Sequence, residues 1–354
     1  MRIGVLTSGG DAPGMNAAVR LVVVVGAARG HQVLGVRQGY AGLLAGDTVE
    51  LDPAAVEGIS RYGGTVLGSA RSHAFTTEAG QAKARDQLEK LGLEGLVVIG
   101  GNGSLTGAHL LATRQTGCGV VGLPASIDND VGHTSMAIGV DTAVNTIVEA
   151  CDRISDTARA HRRAFVVEVM GRQCGFLAMR AGVAAEADGI LFREGKGERD
   201  AAAWIEEAKA VLHSCFVRHR KKRALIIKAE GVEVSTDQLV SALEEYAKAE
   251  LDGVDVRPTV LGHVVRGGSP SSLDRMIAQR LAYGAVAALE QGITDEMMGW
   301  DLRQSAGRAT ADPRVRGVPL AEMLEETTRL LDGTSPVVQA RIALLQATQR
   351  LLSA

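Results

Sequence analysis

MRIGVLTSGGDAPGMNAAVR, residues 1–20, reads as a strand, a tight loop and the start of a helix. Residues 3–6 form a short continuous aliphatic run, the pattern of a strand covered on both faces. The loop at residues 7–16 sets Gly9 beside Gly10 and adds Gly14. Paired glycines let backbone N–H groups come close to a phosphate, and the helix N-terminus behind them favours an anion. The competing reading is a tight turn capped by Asn16. Helical spacing over residues 16–29 completes one strand–loop–helix unit.

The unit recurs along the chain. Aliphatic runs at residues 33–36, 96–99, 120–123, 165–169 and 225–227 alternate with helical spacing at 81–91 and 141–160. That succession gives an α/β fold with a parallel sheet. A length of 354 residues suits two domains. Aromatics are only 3% of the chain, so its cores must be aliphatic. A net charge of -3 gives no global field to recruit nucleic acid. No apolar stretch approaches the ~18 residues of a membrane span, and the first residues do not read as a signal peptide. The four cysteines, Cys118, Cys151, Cys174 and Cys215, have no C-x-x-C spacing. They argue against zinc and suit a reducing cytosol. The basic tract RHRKKR at residues 218–223 reads as a solvated face before a strand.

In an open parallel sheet, ligands bind beyond the carboxyl ends of the strands. The loops there are therefore the candidates. GGNGS, residues 100–104, leads into a second helix. Neither glycine loop has the Walker spacing, and Gly107 falls one residue late for a dinucleotide fingerprint. PASIDND, residues 124–130, places Asp128 and Asp130 two residues apart. One carboxylate can hold Mg²⁺ near substrate phosphates while the other accepts a hydroxyl proton. An Asx-rich turn is the plainer reading of the same stretch. Met170, Gly171 and Arg172 follow the run at 165–169, and LGHVVRGG follows Val260. Arg71, Arg163 and Arg257 stand at the ends of strand-like runs. Several arginines at strand ends, in a chain of balanced charge, suggest a pocket for a bis-phosphorylated species.

Six segments then fall in one order: LTSGGDAPGMNAAVR (6–20), GGTVLGSAR (63–71), IGGNGS (99–104), PASIDND (124–130), VVEVMGRQCG (166–175) and TVLGHVVRGGSP (259–270). Together they resemble the ATP-dependent 6-phosphofructokinases of the bacterial type, with spacing held to about residue 300. The resemblance implies two Rossmann-like three-layer α/β/α domains with largely parallel sheets and an active site in the cleft between them. Residues 1–140 plus 256–305 would form the nucleotide-binding domain, and 141–255 plus 306–354 the fructose 6-phosphate-binding domain. It implies a cytoplasmic kinase that moves the γ-phosphoryl group of ATP to the C1 hydroxyl of fructose 6-phosphate with Mg²⁺. It also implies a homotetramer with active sites shared between subunits.

Residue by residue, the resemblance makes Asp128 the base. Arg172 and Arg71 become the cations on the transferring group, which Ser126 and Gly10 also contact. Gly10, Tyr40, Arg71, Ser72, Gly101, Asn102, Gly103 and Ser104 fall to ATP. Ser126, Asp128, Arg163, Met170, Gly171, Arg172, Glu230, Arg257, His263 and Arg266 fall to fructose 6-phosphate, with Arg163 and Arg257 supplied by a neighbouring subunit. Asn102 and Asp130 would hold the metal, and Arg20 and Lys221 an effector.

The departures are specific. The family's nucleotide loop reads GGDGS, whereas position 102 here is a neutral Asn. Ser126 replaces a Thr, and Thr76 stands where a basic residue is usual. Val24, Ser155 and His219 remove three charges that an ADP or phosphoenolpyruvate site would use. Pyrophosphate-dependent relatives carry an Asp and a Lys that fill the space of the nucleotide's α-phosphate. Gly103 and Ala125 occupy those positions and leave it open. The other alternative is a non-catalytic sugar-phosphate-binding regulatory subunit, suggested by Asn102 and opposed by the presence of Asp128, Arg172 and Arg71.

Overall fold

The first unit of the sequence folds as read: β1 (Arg2–Ser8) is buried from Ile3 onward, and its loop feeds α1 (Met15–Ala28). The computed structural model describes residues 1–70, 72–113, 117–300 and 307–352, with side chains as far as residue 346. The chain divides into two compact units, residues 1–142 with 266–330 and residues 143–265 with 331–354.

In the first unit, β2 (Gln32–Val36), β3 (Thr48–Leu51), β4 (Gly95–Gly100) and β5 (Gly119–Pro124) follow β1. After the chain returns it adds β10 (Glu296–Trp300), β11 (Arg308–Ala309) and β12 (Val315–Pro319). The eight strands run β11-β12-β10-β5-β4-β1-β2-β3. The centre of the sheet is parallel; β3 and β12 pair antiparallel at the flanks. All six residues of β4 are buried, which is why its sequence does not alternate. The pairing sets Ser8 opposite Gly100 and Gly100 opposite Pro124. The carboxyl ends of β1, β4 and β5 are therefore level.

Helices α2 (Gly39–Ala45), α3 (Glu78–Lys90), α4 (Asn102–Ala112), α9 (Ser272–Glu290) and α10 (Leu320–Leu331) complete this unit. α1 packs on α9, α2 on α3, and α3 on α4. The core is aliphatic, with Leu6, Val36, Leu43, Leu96, Val98 and Leu105 at its centre. Residues 22–25 are four valines, poor helix formers whose χ1 freedom the preceding turn restricts. Burial of Val22 and Val23 holds them in α1.

The chain enters the second unit along α5 (Val140–His161). There β6 (Arg163–Val169), β7 (Gly189–Leu191), β8 (Ala224–Ala229) and β9 (Asp255–Val260) form an all-parallel sheet ordered β7-β8-β6-β9. Helices α6 (Phe176–Ala184), α7 (Ala201–His213), α8 (Thr236–Glu250) and α11 (Pro336–Leu352) belong to it. Lys228 on β8 is 1% exposed and lies opposite Glu168 on β6, its Nζ 2.9 Å from the carboxylate. Thr236, the first residue of α8, donates to the same oxygen. Burial raises the pKa of Glu168, but the bonds from Thr236 and Lys228 outweigh it and the net direction is down.

The unit boundaries differ from the sequence expectation in two places. Residues 256–265 lie in the second unit, because β9 pairs with β6 from Arg163↔Asp255 to Glu168↔Val260. Residues 307–330 lie in the first, because β12 pairs with β10. Ladder partners decide both cases, and they are remote in sequence. The tract at 218–223 precedes β8 and is mostly exposed, although Arg223 is turned inward and pairs with Asp188 at 3.3 Å, as Lys221 does at 2.8 Å. No helix among the described residues is long and apolar enough to cross a membrane.

Candidate active site

Level strand ends bring three loops to one edge of the first sheet. In the first loop Gly9 and Gly14 have φ of 85° and 114°, a region L side chains avoid. A β-carbon at Gly10 would lie 2.7 Å from the Arg266 guanidinium. Arg266 Nη1 donates to the Asp11 carbonyl at 3.1 Å. Arg266, expected among the sugar-phosphate residues, is thus placed against the first glycine loop.

Asn16 is not the helix cap; Gly14 holds that position. The Asn16 side chain is 1% exposed and holds a neighbouring loop. Its amide donates to the carbonyls of Tyr62 (3.1 Å) and Gly63 (3.2 Å) and accepts from the Val66 N–H (2.8 Å). Thr7 Oγ1 donates to the Gly68 carbonyl at 2.9 Å. These bonds fix the GGTVLGSAR stretch, whose last residue, Arg71, lies outside the described residues. Ser72 Oγ accepts from the Phe75 N–H at 3.2 Å.

The second loop opens α4. Gly101 stands at its N-cap without a side-chain cap, so the helix start offers backbone donors to an anion. A β-carbon at Gly103 would meet nothing within 4 Å. Tyr40 lies beneath this loop. Its hydroxyl donates to the Ser104 carbonyl at 2.6 Å, and its ring stacks on Phe75 with centroids 4.0 Å apart. Burial pushes its phenol pKa up. Tyr40 therefore supports the loop from inside the core.

The third loop carries the carboxylates. Ser126 Oγ donates to Asp130 Oδ1 and Asn102 Nδ2 to Asp130 Oδ2, both at 2.8 Å. Asp128 is 8% exposed. Asn129 between the two acids has φ of 50° and is 1% exposed. Its side chain accepts from the Ala137 N–H (2.9 Å) and donates to the Ser135 carbonyl (3.2 Å). Sequence reading passed over Asn129. The available signal was an Asn flanked by two acids, since Asn tolerates left-handed backbone and bonds to nearby main chain. Asn102 Oδ1 is buried without a hydrogen-bond partner. Together with Asp130 and Ser126 it makes a set of hard oxygen donors that fits a divalent cation. The set has one carboxylate, Asp130.

In the second unit, the carboxyl ends of β6, β8 and β9 gather Met170, Gly171, Arg172, Glu230 and His263. Gly171 and Arg172 have φ of 147° and 41°. Glu230 Oε1 holds this turn by accepting from the N–H groups of Gly171 (3.2 Å) and Arg172 (2.8 Å). A β-carbon at Gly231 would lie 1.8 Å from the Arg172 carbonyl oxygen. His263 is exposed in a 3₁₀ turn, Gly262–Arg266.

Arg163 is not with them. It is the first residue of β6, and six strand steps place it roughly 20 Å from Val169. Arg257 lies towards the same end, level with Phe165. Both guanidinium groups pair with Asp255, at 3.1 and 2.9 Å. Arg20 lies on α1, and Lys221 is in the other unit.

A family profile described as phosphofructokinase matches residues 2–289. An ATP-dependent 6-phosphofructokinase of Natranaerobius thermophilus is 47% identical over 298 residues, 84% of this chain and 89% of that protein. ATP-dependent 6-phosphofructokinase 1 of Thermus thermophilus is 46% identical over 299 residues, with the same shares covered. The solved phosphofructokinase of Saccharomyces cerevisiae superposes on 97% of this chain with a TM-score of 0.80 and 35% identity. This chain spans 48% of that one, about half its length.

Asn16→Ala removes the amide that holds residues 62–66 and leaves buried main-chain groups without partners. A loss of about 2–4 kcal/mol is expected in urea unfolding. Unchanged stability would show that Asn16 does not anchor this loop.

Proposed function

The chain belongs to the phosphofructokinase family, and on that premise we propose that it phosphorylates fructose 6-phosphate at the C1 hydroxyl with ATP, giving fructose 1,6-bisphosphate and ADP. The observation that carries this reading is the turn at residues 126–130. It sets a buried Asp128 beside an Asp130 already tied to the nucleotide loop through Asn102. ATP is the donor. Gly103 opens on empty space and Ala125 is small, so nothing crowds an α-phosphate. The relatives are named for ATP, which sets the pyrophosphate reading aside.

Phosphoryl transfer asks a protein mainly for positioning and charge stabilisation. Asp128 takes the proton of the C1 hydroxyl. That oxygen bonds to the γ-phosphorus, the bond to the bridging oxygen breaks, and ADP leaves. Gly10, Ser126, Arg71 and Arg172 offset charge on the moving group. The start of α4, from Gly101 to Ser104, receives the donor's phosphates, with Ser72 and Tyr40 shaping that side. Met170, Gly171, Arg172, Glu230, His263 and Arg266 are assigned to the sugar phosphate. Asn102 and Asp130 would hold Mg²⁺, which when bound neutralises phosphate charge. A cytoplasmic location belongs to the same reading. Cys118, Cys151 and Cys215 support it as buried thiols whose pKa burial pushes up to about 12. Arg20 and Lys221 are the cations assigned to an effector site, and Asp188 offsets the charge of Lys221.

The amino-end position of Arg163 and Arg257 supports a shared site, in which they bind fructose 6-phosphate for a neighbouring subunit of a homotetramer.

Three measurements test the proposal. Purified protein should turn over fructose 6-phosphate with Mg²⁺ and ATP, and Asp128→Ala should lower kcat by ~10²–10⁴-fold while sugar-phosphate binding persists. A variant keeping more than half of the activity would remove Asp128 from the role of base. Arg257→Ala should raise KM for fructose 6-phosphate by on the order of tenfold or more, with KM for ATP little changed. A fully active monomer in sedimentation would refute the shared site. Asn102→Asp should lower the Mg²⁺ concentration needed for half-maximal rate and raise the maximal rate, because the second carboxylate strengthens the metal set. If that variant is slower at every Mg²⁺ concentration, Asn102 is an adapted part of the site.

A further inference from the structure

The turn that carries Arg172 continues directly into α6, so whatever fixes its far end also fixes the arginine. Two carboxylates hold the turn. Glu230 takes its first two N–H groups, and Glu194 Oε1 accepts from the Gly175 N–H at 2.5 Å, where the turn becomes helix. Glu194 is the unusual member. Its second oxygen is buried and has no hydrogen-bond partner.

The corner is covered by α11, which lies beyond the stretch matched by the family profile. α11 packs on α6, with Val338, Ile342 and Leu345 buried. Ile342 closes over Gly195, the residue after Glu194: a β-carbon there would lie 2.7 Å from the isoleucine. Arg341 sits in the same turn of α11, its guanidinium carbon 4.5 Å from the centroid of the Phe176 ring, the first residue of α6. Desolvation lowers the pKa of Arg341, and the charges of Cys174 and Glu194 oppose that shift. The guanidinium therefore lies against the first residue of α6, next to the Gly175 N–H that Glu194 holds.

We propose that Arg341 is a positioning residue for the sugar-phosphate side of the reaction: its guanidinium on the Phe176 ring fixes the Gly175 end of the turn that presents Arg172. This rests on the kinase reading above for its kinetic consequence, but not for its structural one. Arg172 has a left-handed backbone that the surrounding structure must over-determine to persist. Loosening one of its two anchors lets the turn relax and moves the guanidinium away from its working place.

The full-length protein with Arg341→Gln, Arg341→Lys and Glu194→Gln provides the test. Arg341→Gln should make amide hydrogen exchange in residues 171–175 about tenfold faster while exchange in β4 and β8 stays as in the parent. It should lower kcat/KM for fructose 6-phosphate by about ten- to a hundredfold and leave KM for ATP unchanged. Arg341→Lys should recover most of both losses. Glu194→Gln combined with Arg341→Gln should cost little more than either alone, because both act on the Gly175 end of one turn. Unchanged exchange in residues 171–175 overturns the proposal. So does a loss of overall stability with unchanged kinetics, which would make α11 a structural cover only. If the parent protein lacks kinase activity, the functional reading falls and the exchange result alone decides whether Arg341 braces the turn.

Discussion

The register of three parallel strands governs the first unit. Ser8, Gly100 and Pro124 stand opposite one another, so β1, β4 and β5 end together and release their loops at one edge. A slip of one residue would turn every side chain of a strand to the other face and move its loop by a strand step. The buried aliphatic side chains on both faces of β1 and β4 forbid such a slip. Packing thereby sets the mutual position of the glycine loops and the carboxylate turn before any ligand contributes.

Within that frame, side-chain amides do much of the fixing. Asn16 holds the stretch leading to Arg71, Asn129 pins the turn between Asp128 and Asp130, and Asn102 joins Asp130 to the second glycine loop. An amide donates and accepts at once, so one residue can satisfy main-chain groups of both kinds. It does this without adding charge to the loops. The second unit uses charge instead. Its turn at residues 171–175 is held by Glu230 and Glu194, and its two central strands carry the Lys228–Glu168 pair. Each carboxylate there neutralises main-chain dipoles or a cation, leaving Arg172 to face outward.

Much of this was legible in the chain itself. The continuous runs at residues 3–6, 96–99 and 120–123 identified the parallel strands, since only a strand buried on both faces reads that way. The glycines after them marked the loops where backbone must come close to a ligand, and PASIDND marked the acid turn. The bonding of Asn16 and Tyr40 was not legible, for one reason: a side chain's sequence neighbours do not say which loop or core it reaches. Asn16 bonds to residues some fifty positions away, and Tyr40 lies under Ser104.

The sequence by itself determined the fold class, the candidate loops and the family, because these depend on local periodicity, on glycine's conformational freedom and on short motifs. Tertiary structure decided what depends on distant partners. It assigned β9 to the second unit and β12 to the first through their ladders. It drew Arg266 to Gly10 and set Arg163 and Arg257 at the end of the sheet opposite Arg172. Strand direction places a residue at the amino or carboxyl end of a sheet, but only the ladder says which other residues share that end.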